Sequence, residues 1–228
     1  MAAAPAIELD GLTRRYGERV ALDGVTVSVP AGATLVVFGP NGAGKSTLLR
    51  VLATLLRPHA GAARVLGRAL PGEGWAVRGH LGLLAHEPLL YGDLTARENL
   101  RFHARLHGVA RGRAEALLEH VGLAARADER VHTFSRGMVQ RLAVCRAVLH
   151  EPELLLLDEP RAHLDPAAAA LVEPLIGAGD GRTRVVTSHD PSGGLAEADL
   201  ALGLRAGRAE LLRRAADVDP AEIGRLYR

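Results

Sequence analysis

The chain has 228 residues and a mass of 24.1 kDa, with 48% apolar and 24% charged residues, enough apolar content for a sizeable core and too much for wholesale disorder. A single cysteine, Cys145, excludes an intramolecular disulfide and a cysteine-based zinc cage, and reads as a small buried hydrophobe. The net charge is +2, and the basic residues are interleaved with acids, as in ARENLRFHARL, so nucleic acid is not an expected partner.

The opening MAAAPAIELDGLTRR lacks the basic-then-apolar pattern of a secretory signal. No apolar run approaches the ~18 residues that a bilayer span needs. Together these predict a soluble protein of a reducing compartment. Within residues 1–30, IELDGL and VTVSVP alternate as short strands of an antiparallel flap that carries Tyr16. Next, TLVVF at Thr34–Phe38 is a short apolar, β-branched run that predicts a buried strand.

Gly39-Pro40-Asn41-Gly42-Ala43-Gly44-Lys45-Ser46 follows, and then TLLRVLATLL at helical spacing. This is G-x-x-x-x-G-K-[ST] in its strand–loop–helix setting. Glycines let successive backbone N–H groups face inward as an anion nest, and the new helix adds its positive end. Lys45 is expected to reach the β and γ phosphates of a bound nucleotide and the Ser46 hydroxyl to ligate Mg²⁺. Of the 28 lysines and arginines, Lys45 is the one lysine. A compact ammonium was kept where a planar guanidinium would not serve.

Further short strands are predicted around Arg64–Leu66 and Leu81–Ala85. From Thr95 to His150 the apolar spacing turns helical, punctuated by Gly108, Gly112 and Gly122. Within it, Phe134-Ser135-Arg136-Gly137-Met138 leads into a helical run, with Ser135 where an N-cap stands. Ser135 reads either as a simple cap or as part of an anion site. Leu154–Leu157 then precede Asp158-Glu159-Pro160, a central parallel strand that delivers two acids to a ligand crevice. Asp158 is expected to hold the metal through water, and Glu159 to orient or deprotonate an attacking water. His189 follows the apolar strand RTRVVTS, and residues 153–204 alternate strand and helix as in a right-handed parallel α/β sheet. The tail from Leu211 reads as a helical appendage without chemistry, and the ten histidines show no metal-ligand spacing.

The order of these motifs resembles the nucleotide-binding subunits of ABC transporters over nearly the whole chain. The resemblance implies an α/β fold: a P-loop NTPase core with a mainly parallel sheet, an N-terminal antiparallel β sub-domain and an inserted helical sub-domain. It implies a single ABC ATPase domain over 1–228, with the core and β sub-domain at about 1–90 and 151–210. The helical sub-domain then falls at 91–150 and an appendage at 211–228. Residues Gly39 to Thr47 would hold the phosphates, with Pro40, Asn41 and Ala43 among them, and Tyr16 looks like the aromatic residue that stacks on adenine. Phe134–Met138 corresponds to the family signature, usually L-S-G-G-Q. Its Ser135 and Gly137 would contact the γ-phosphate held by the opposite protomer. Asp165, in Ala162-His163-Leu164-Asp165, looks like the aspartate carried across the dimer interface. Lys45, Glu159 and His189 would be the catalytic set, with Ser46, Asp158 and Glu87 around the metal.

Three departures stand out. The family's glutamine, at the loop joining core and helical sub-domain, aligns through LGLLAHEPLLYGDLT with Glu87. A carboxylate there could still ligate Mg²⁺ while adding negative charge beside the triphosphate. Arg136 and Met138 replace a glycine and a glutamine of the signature; Arg136 reads as outward and solvated, or as extra positive charge for the γ-phosphate.

The resemblance implies an ATP-dependent homodimer and separate membrane-spanning subunits, so the chain is expected at the cytoplasmic face of the cell membrane. HEPLLYGDLTARENLRFHARLHG and the SRGM signature look like ATP-binding subunits of the haem exporter used in cytochrome c maturation. Exporters of drugs or polysaccharide share LTARENL-like segments and are the alternative. A soluble ABC ATPase acting on ribosomes or DNA is the reading from another class; such proteins usually fuse two cassettes or insert a long coiled coil.

Overall fold

The computed structural model describes residues 4–179 and 181–227; residues 1–3, 180 and 228 of the expected single domain lie outside it. Two sheets divide the work. β1 (Pro5–Tyr16), β2 (Arg19–Pro30), β4 (Ala60–Val65) and β5 (Arg68–Leu70) form an antiparallel sheet in the order β2-β1-β4-β5. β1 and β2 are single twelve-residue strands, longer than the short segments expected, because bulges let the pairing continue from Pro5 to Tyr16.

The second sheet has the order β10-β9-β3-β8-β7-β6. Its strands β3 (Thr34–Phe38), β6 (Leu81–Leu84), β7 (Leu154–Asp158), β8 (Thr183–Thr187) and β9 (Leu200–Arg205) are parallel, and β10 (Arg208–Arg214) returns antiparallel. TLVVF, LLLLD and TRVVT are buried at every position, as strands covered on both faces must be. The sequence placed Leu211–Arg214 in a helical tail; those residues are the outer half of β10, paired with β9, and the tail's helix is only α8 (Pro220–Arg225). A glycine turn, Ala206-Gly207 at positive φ, makes this hairpin.

α1 (Lys45–Leu52) packs between the sheets, with Leu48, Leu49, Val51 and Leu52 in the core they share. It is shorter than the TLLRVLATLL pattern because Thr54 turns left-handed at φ 63°. α2 (Gly74–Val77) is a single turn beside it. The inserted helices α3 (Ala96–Leu106), α4 (Arg111–His120) and α5 (Arg136–Val148) build a second core on the β6–β7 side of the sheet, and Cys145 is buried there as expected. A Thr95–Glu98 capping box starts α3. α6 (Pro166–Ile176) and α7 (Pro191–Ala196) complete the crossovers.

Three histidines gather where α3 and α5 meet the edge strand β6. His107 and His150 stack at 3.9 Å, and the His150 Nε2 stands 2.9 Å from the Leu81 carbonyl. The His103 Nε2 and the His150 Nδ1 are buried without a partner. Burial first, and the Arg146 guanidinium and neighbouring imidazoles after it, push His103 from an ordinary 6.5 to about 4, and His150 likewise. The fold thus refuses protons that the unfolded chain accepts. The contribution of these two histidines to stability is constant above about pH 6.5 and falls as pH drops from there towards 4. In urea titrations across that window, His103→Leu is expected to show a shallower loss than the wild-type chain; equal slopes would clear His103 of the effect.

Candidate functional site

The carboxyl ends of β3, β8 and β7, three neighbours in the sheet, meet at one crevice. The loop after β3 opens it. Gly39 lies at φ 145°, where a Cβ would come within 2.1 Å of the Leu204 carbonyl. At Gly44, φ 110°, a Cβ would strike the Ala21 carbonyl at 2.4 Å. Glycine is therefore required at both ends of the loop by space as well as by dihedral angle. Inside it, the Lys45 Nζ donates to the Gly39 carbonyl at 2.6 Å and to the Pro40 carbonyl at 3.3 Å. Lys45 is only 7% exposed. Burial lowers its pKa, opposed by the nearby carboxylates of Glu159 and Asp158.

The end of β7 supplies the acids. The Ser46 hydroxyl donates to the Asp158 Oδ2 at 2.8 Å, and the Thr187 hydroxyl donates to the Asp158 Oδ1 at 2.7 Å. Thr187 Oγ1 in turn accepts the Glu159 backbone N–H at 3.0 Å. Ser46 and Asp158 form a hard-oxygen pair beside the phosphate cup, a donor set that suits Mg²⁺. Glu159 sits in a left-handed conformation, φ 50°. Its Oε1 lies 2.6 Å from the His189 Nε2; with the carboxylate ionised, the imidazole N–H is the donor.

A cleft of about 490 Å³ runs from Tyr16 past Pro40–Thr47 to Asp158 and Glu159. Tyr16 stands at its far end, 43% exposed, with the Arg14 guanidinium 5.1 Å from its ring centroid. His189 lines an adjoining hollow with Glu159 rather than the cleft itself. Glu87, expected at the metal, is exposed and is not among the cleft-lining residues; its neighbour His86 is. β6 ends at Leu84, and both residues lie in the bend that follows it.

Ser135, Gly137 and Asp165 do not join this cleft. Ser135 Oγ accepts from the Met138 N–H at 3.3 Å and caps α5. Asp165 caps α6 through the Ala168 N–H at 2.8 Å. Arg136 is exposed, the solvated reading of that departure. Sequence reasoning missed Thr187, whose hydroxyl joins both acids; the only signal was a threonine ending a buried strand just before His189.

A glycine-rich phosphate loop with its lysine, a serine–aspartate pair and a glutamate–histidine pair at parallel strand ends define a P-loop NTPase domain. The ABC transporter family profile matches residues 22–162, and the chain belongs to that family, as an ABC ATPase domain. It is 44% identical over 185 residues to the daunorubicin resistance ATP-binding protein DrrA3 of Streptomyces coeruleorubidus, covering 78% of this chain and 58% of that protein. It is 36% identical over 193 residues to a Nod factor export ATP-binding protein I of Ralstonia nicotianae, covering 82% and 60%. The chain thus spans about three fifths of these relatives' length. Among solved structures, a dimeric ATP-binding cassette in a post-hydrolysis state bound to ADP and Pi superposes with a TM-score of 0.83. That cassette is 26% identical, and the match covers 92% of this chain and 98% of its own. Neither named relative is a haem exporter.

Thr187→Val keeps the shape of the side chain and removes the hydroxyl that joins Asp158 to Glu159. It is expected to lower stability by about 1–3 kcal/mol, from groups left unpaired. Turnover of ATP should fall about 10- to 100-fold through misplacement of Glu159, with KM little changed. Phosphate release and urea unfolding measure both; wild-type turnover in this variant would remove Thr187 from the site.

Proposed function

We propose that this cassette binds ATP with Mg²⁺ in the cleft, pairs head to tail with a second copy, and hydrolyses ATP to power export through separate membrane subunits. The observation that carries the reading is the gathering of Lys45, Ser46–Asp158 and Glu159 in one cleft, with His189 bonded to Glu159 from the adjoining hollow. The loop N–H groups and Lys45 bind and orient the phosphates. Ser46 and Asp158 would hold Mg²⁺, which when bound would supply positive charge against the phosphates. Glu159 accepts a proton from the attacking water, and His189 holds its carboxylate in place. Tyr16 offers its ring to the adenine.

Ser135, Gly137 and Asp165 lie outside this chain's own cleft. Ser135 and Gly137, at the N-terminus of α5, are suited to close it from a partner, as is Asp165. The γ-phosphate then bridges two subunits, and its hydrolysis removes the bridge. The dimeric neighbour supports this arrangement. For the membrane subunits, exposed Leu89, Tyr91, Phe102 and Leu106 offer an apolar docking face, with Tyr91 and Phe102 in edge contact at 5.4 Å. Among the described residues no helix is long and apolar enough to cross a membrane, which fits a peripheral place at the cytoplasmic face.

The cargo we favour is a drug-like small molecule, on the identity with the daunorubicin resistance protein. Haem is the second reading, carried by residues 80–110 and 134–138.

Glu159→Gln keeps the hydrogen bonding and removes the base. With ATP and Mg²⁺ it is expected to accumulate as a dimer in size exclusion with light scattering, with turnover reduced at least about 100-fold. Wild-type hydrolysis in that variant would end the role given to Glu159. For cargo, cells expressing the chain with its membrane subunits should survive an anthracycline at a higher dose, and Lys45→Ala should abolish the gain. Unchanged drug tolerance together with restored cytochrome c maturation in a haem-export-deficient host would instead select haem.

A further inference from the structure

The last described residue of the chain reaches the nucleotide site. α8 starts with an Asp219–Glu222 capping box and is tied to β10 by an Arg213–Glu222 ion pair. Ile223 and Leu226 are buried against Val36, Phe38 and Ala201, so the tail is seated on the strand that feeds the phosphate loop. At Gly203 a Cβ would come within 2.7 Å of Leu226, a close approach that lets the tail lie flat on β9. The Tyr227 ring is thereby delivered between the loop and His189. Its hydroxyl accepts the Gly39 N–H at 3.3 Å, and its ring centroid lies 6.3 Å from that of His189. Gly39 is also the residue whose carbonyl receives the Lys45 ammonium at 2.6 Å.

We propose that Tyr227 is a positioning residue for ATP binding. Through Gly39 it fixes the segment on which Lys45 rests, and through its ring it backs the imidazole that holds Glu159. Burial raises the Tyr227 pKa, opposed by the Gly39 N–H bond and helped by the Glu159 charge, and the net rise keeps the phenol neutral with its oxygen an acceptor for the glycine amide. The hydroxyl therefore acts on binding and the ring on turnover, and the two effects are separable by substitution.

The proposal rests on the reading of the cleft as an ATP site, and its test separates the two. Binding of a non-hydrolysable ATP analogue to the wild-type chain with Mg²⁺ checks the reading; no binding would overturn the site itself. Given binding, Tyr227→Phe should raise the analogue's dissociation constant and the KM for ATP about fivefold, the worth of one hydrogen bond, with kcat within about twofold. In glycine-labelled protein the Gly39 amide should exchange with solvent faster by a similar factor, while the thermal midpoint stays put. Tyr227→Ala should show the same rise in KM and a lowered kcat besides. Wild-type KM and wild-type Gly39 exchange in Tyr227→Phe would overturn the assignment. So would a drop in thermal midpoint with KM unchanged, since that is the mark of a tail that only stabilises the fold.

Discussion

The contact between the Lys45 ammonium and the carbonyls of its own loop is the constraint around which the rest of the molecule is arranged. A cation only 7% exposed is costly unless its N–H groups find acceptors, and the Gly39 and Pro40 carbonyls take two of the three. For those carbonyls to point inward, the loop must pass within Cβ-excluding distance of Leu204 on one side and Ala21 on the other. The two sheets supply these walls: Leu204 comes from β9 and Ala21 from β2. Their separation is set by the shared core around Leu48, Leu49 and Leu52 of α1. A local motif is therefore held by contacts that span the whole chain.

The acids obey a related logic. β8 lies between β3 and β7, so a residue at its end can touch what each neighbour delivers. Thr187 is that residue, bonded to Asp158 and to the backbone of Glu159. Glu159 occupies a left-handed backbone conformation, which costs a non-glycine residue about 1–2 kcal/mol. The Thr187 bond and the Gln140 amide, which donates to the Pro160 carbonyl at 3.0 Å, hold the turn in that state. The result aims the carboxylate at His189 rather than back along the strand. Backbone strain placed at a reacting group and restrained by its neighbours is a pattern expected of a functional turn.

How much of this could be read from the sequence depended on the range of the interaction. The phosphate loop, the acidic strand end and the buried strands were legible because their chemistry is local: glycine spacing, an apolar run, a lone lysine. Thr187 was not, since a threonine closing a buried strand is ordinary until the neighbouring strand is known. Glu87 was placed by its neighbours in sequence, and the bend over His86 and Glu87 that leaves it outside the cleft has no local signal. Leu211–Arg214 carries a strand's pairing with β9 that helix-like composition, LLRRAA, conceals. The Tyr227–Gly39 bond joins residues 188 apart, beyond any pattern in a window of sequence. Ser135 was legible as a cap, whereas the capping of α6 by Asp165 was not read from the sequence.

The segment that leaves β6 shows how the site and the proposed membrane-facing surface are joined mechanically. Leu84 is buried in the helical core, His86 lines the cleft, and Leu89 and Tyr91 are exposed beside Phe102. The far end is clamped by Asn99, fully buried on α3. Its Oδ1 accepts the Tyr91 N–H at 2.8 Å, and its Nδ2 donates to the carbonyls of Tyr91 at 3.0 Å and Thr95 at 2.9 Å. A buried amide satisfied on both its oxygen and its nitrogen makes a stiff joint, because breaking it would strand polar groups in an apolar core. The segment is therefore fixed to the sheet at one end and to α3 at the other, with the cleft residue between them. A displacement of α3 is thus passed to Tyr91 through this joint, and from Tyr91 the chain runs back to the cleft residue His86.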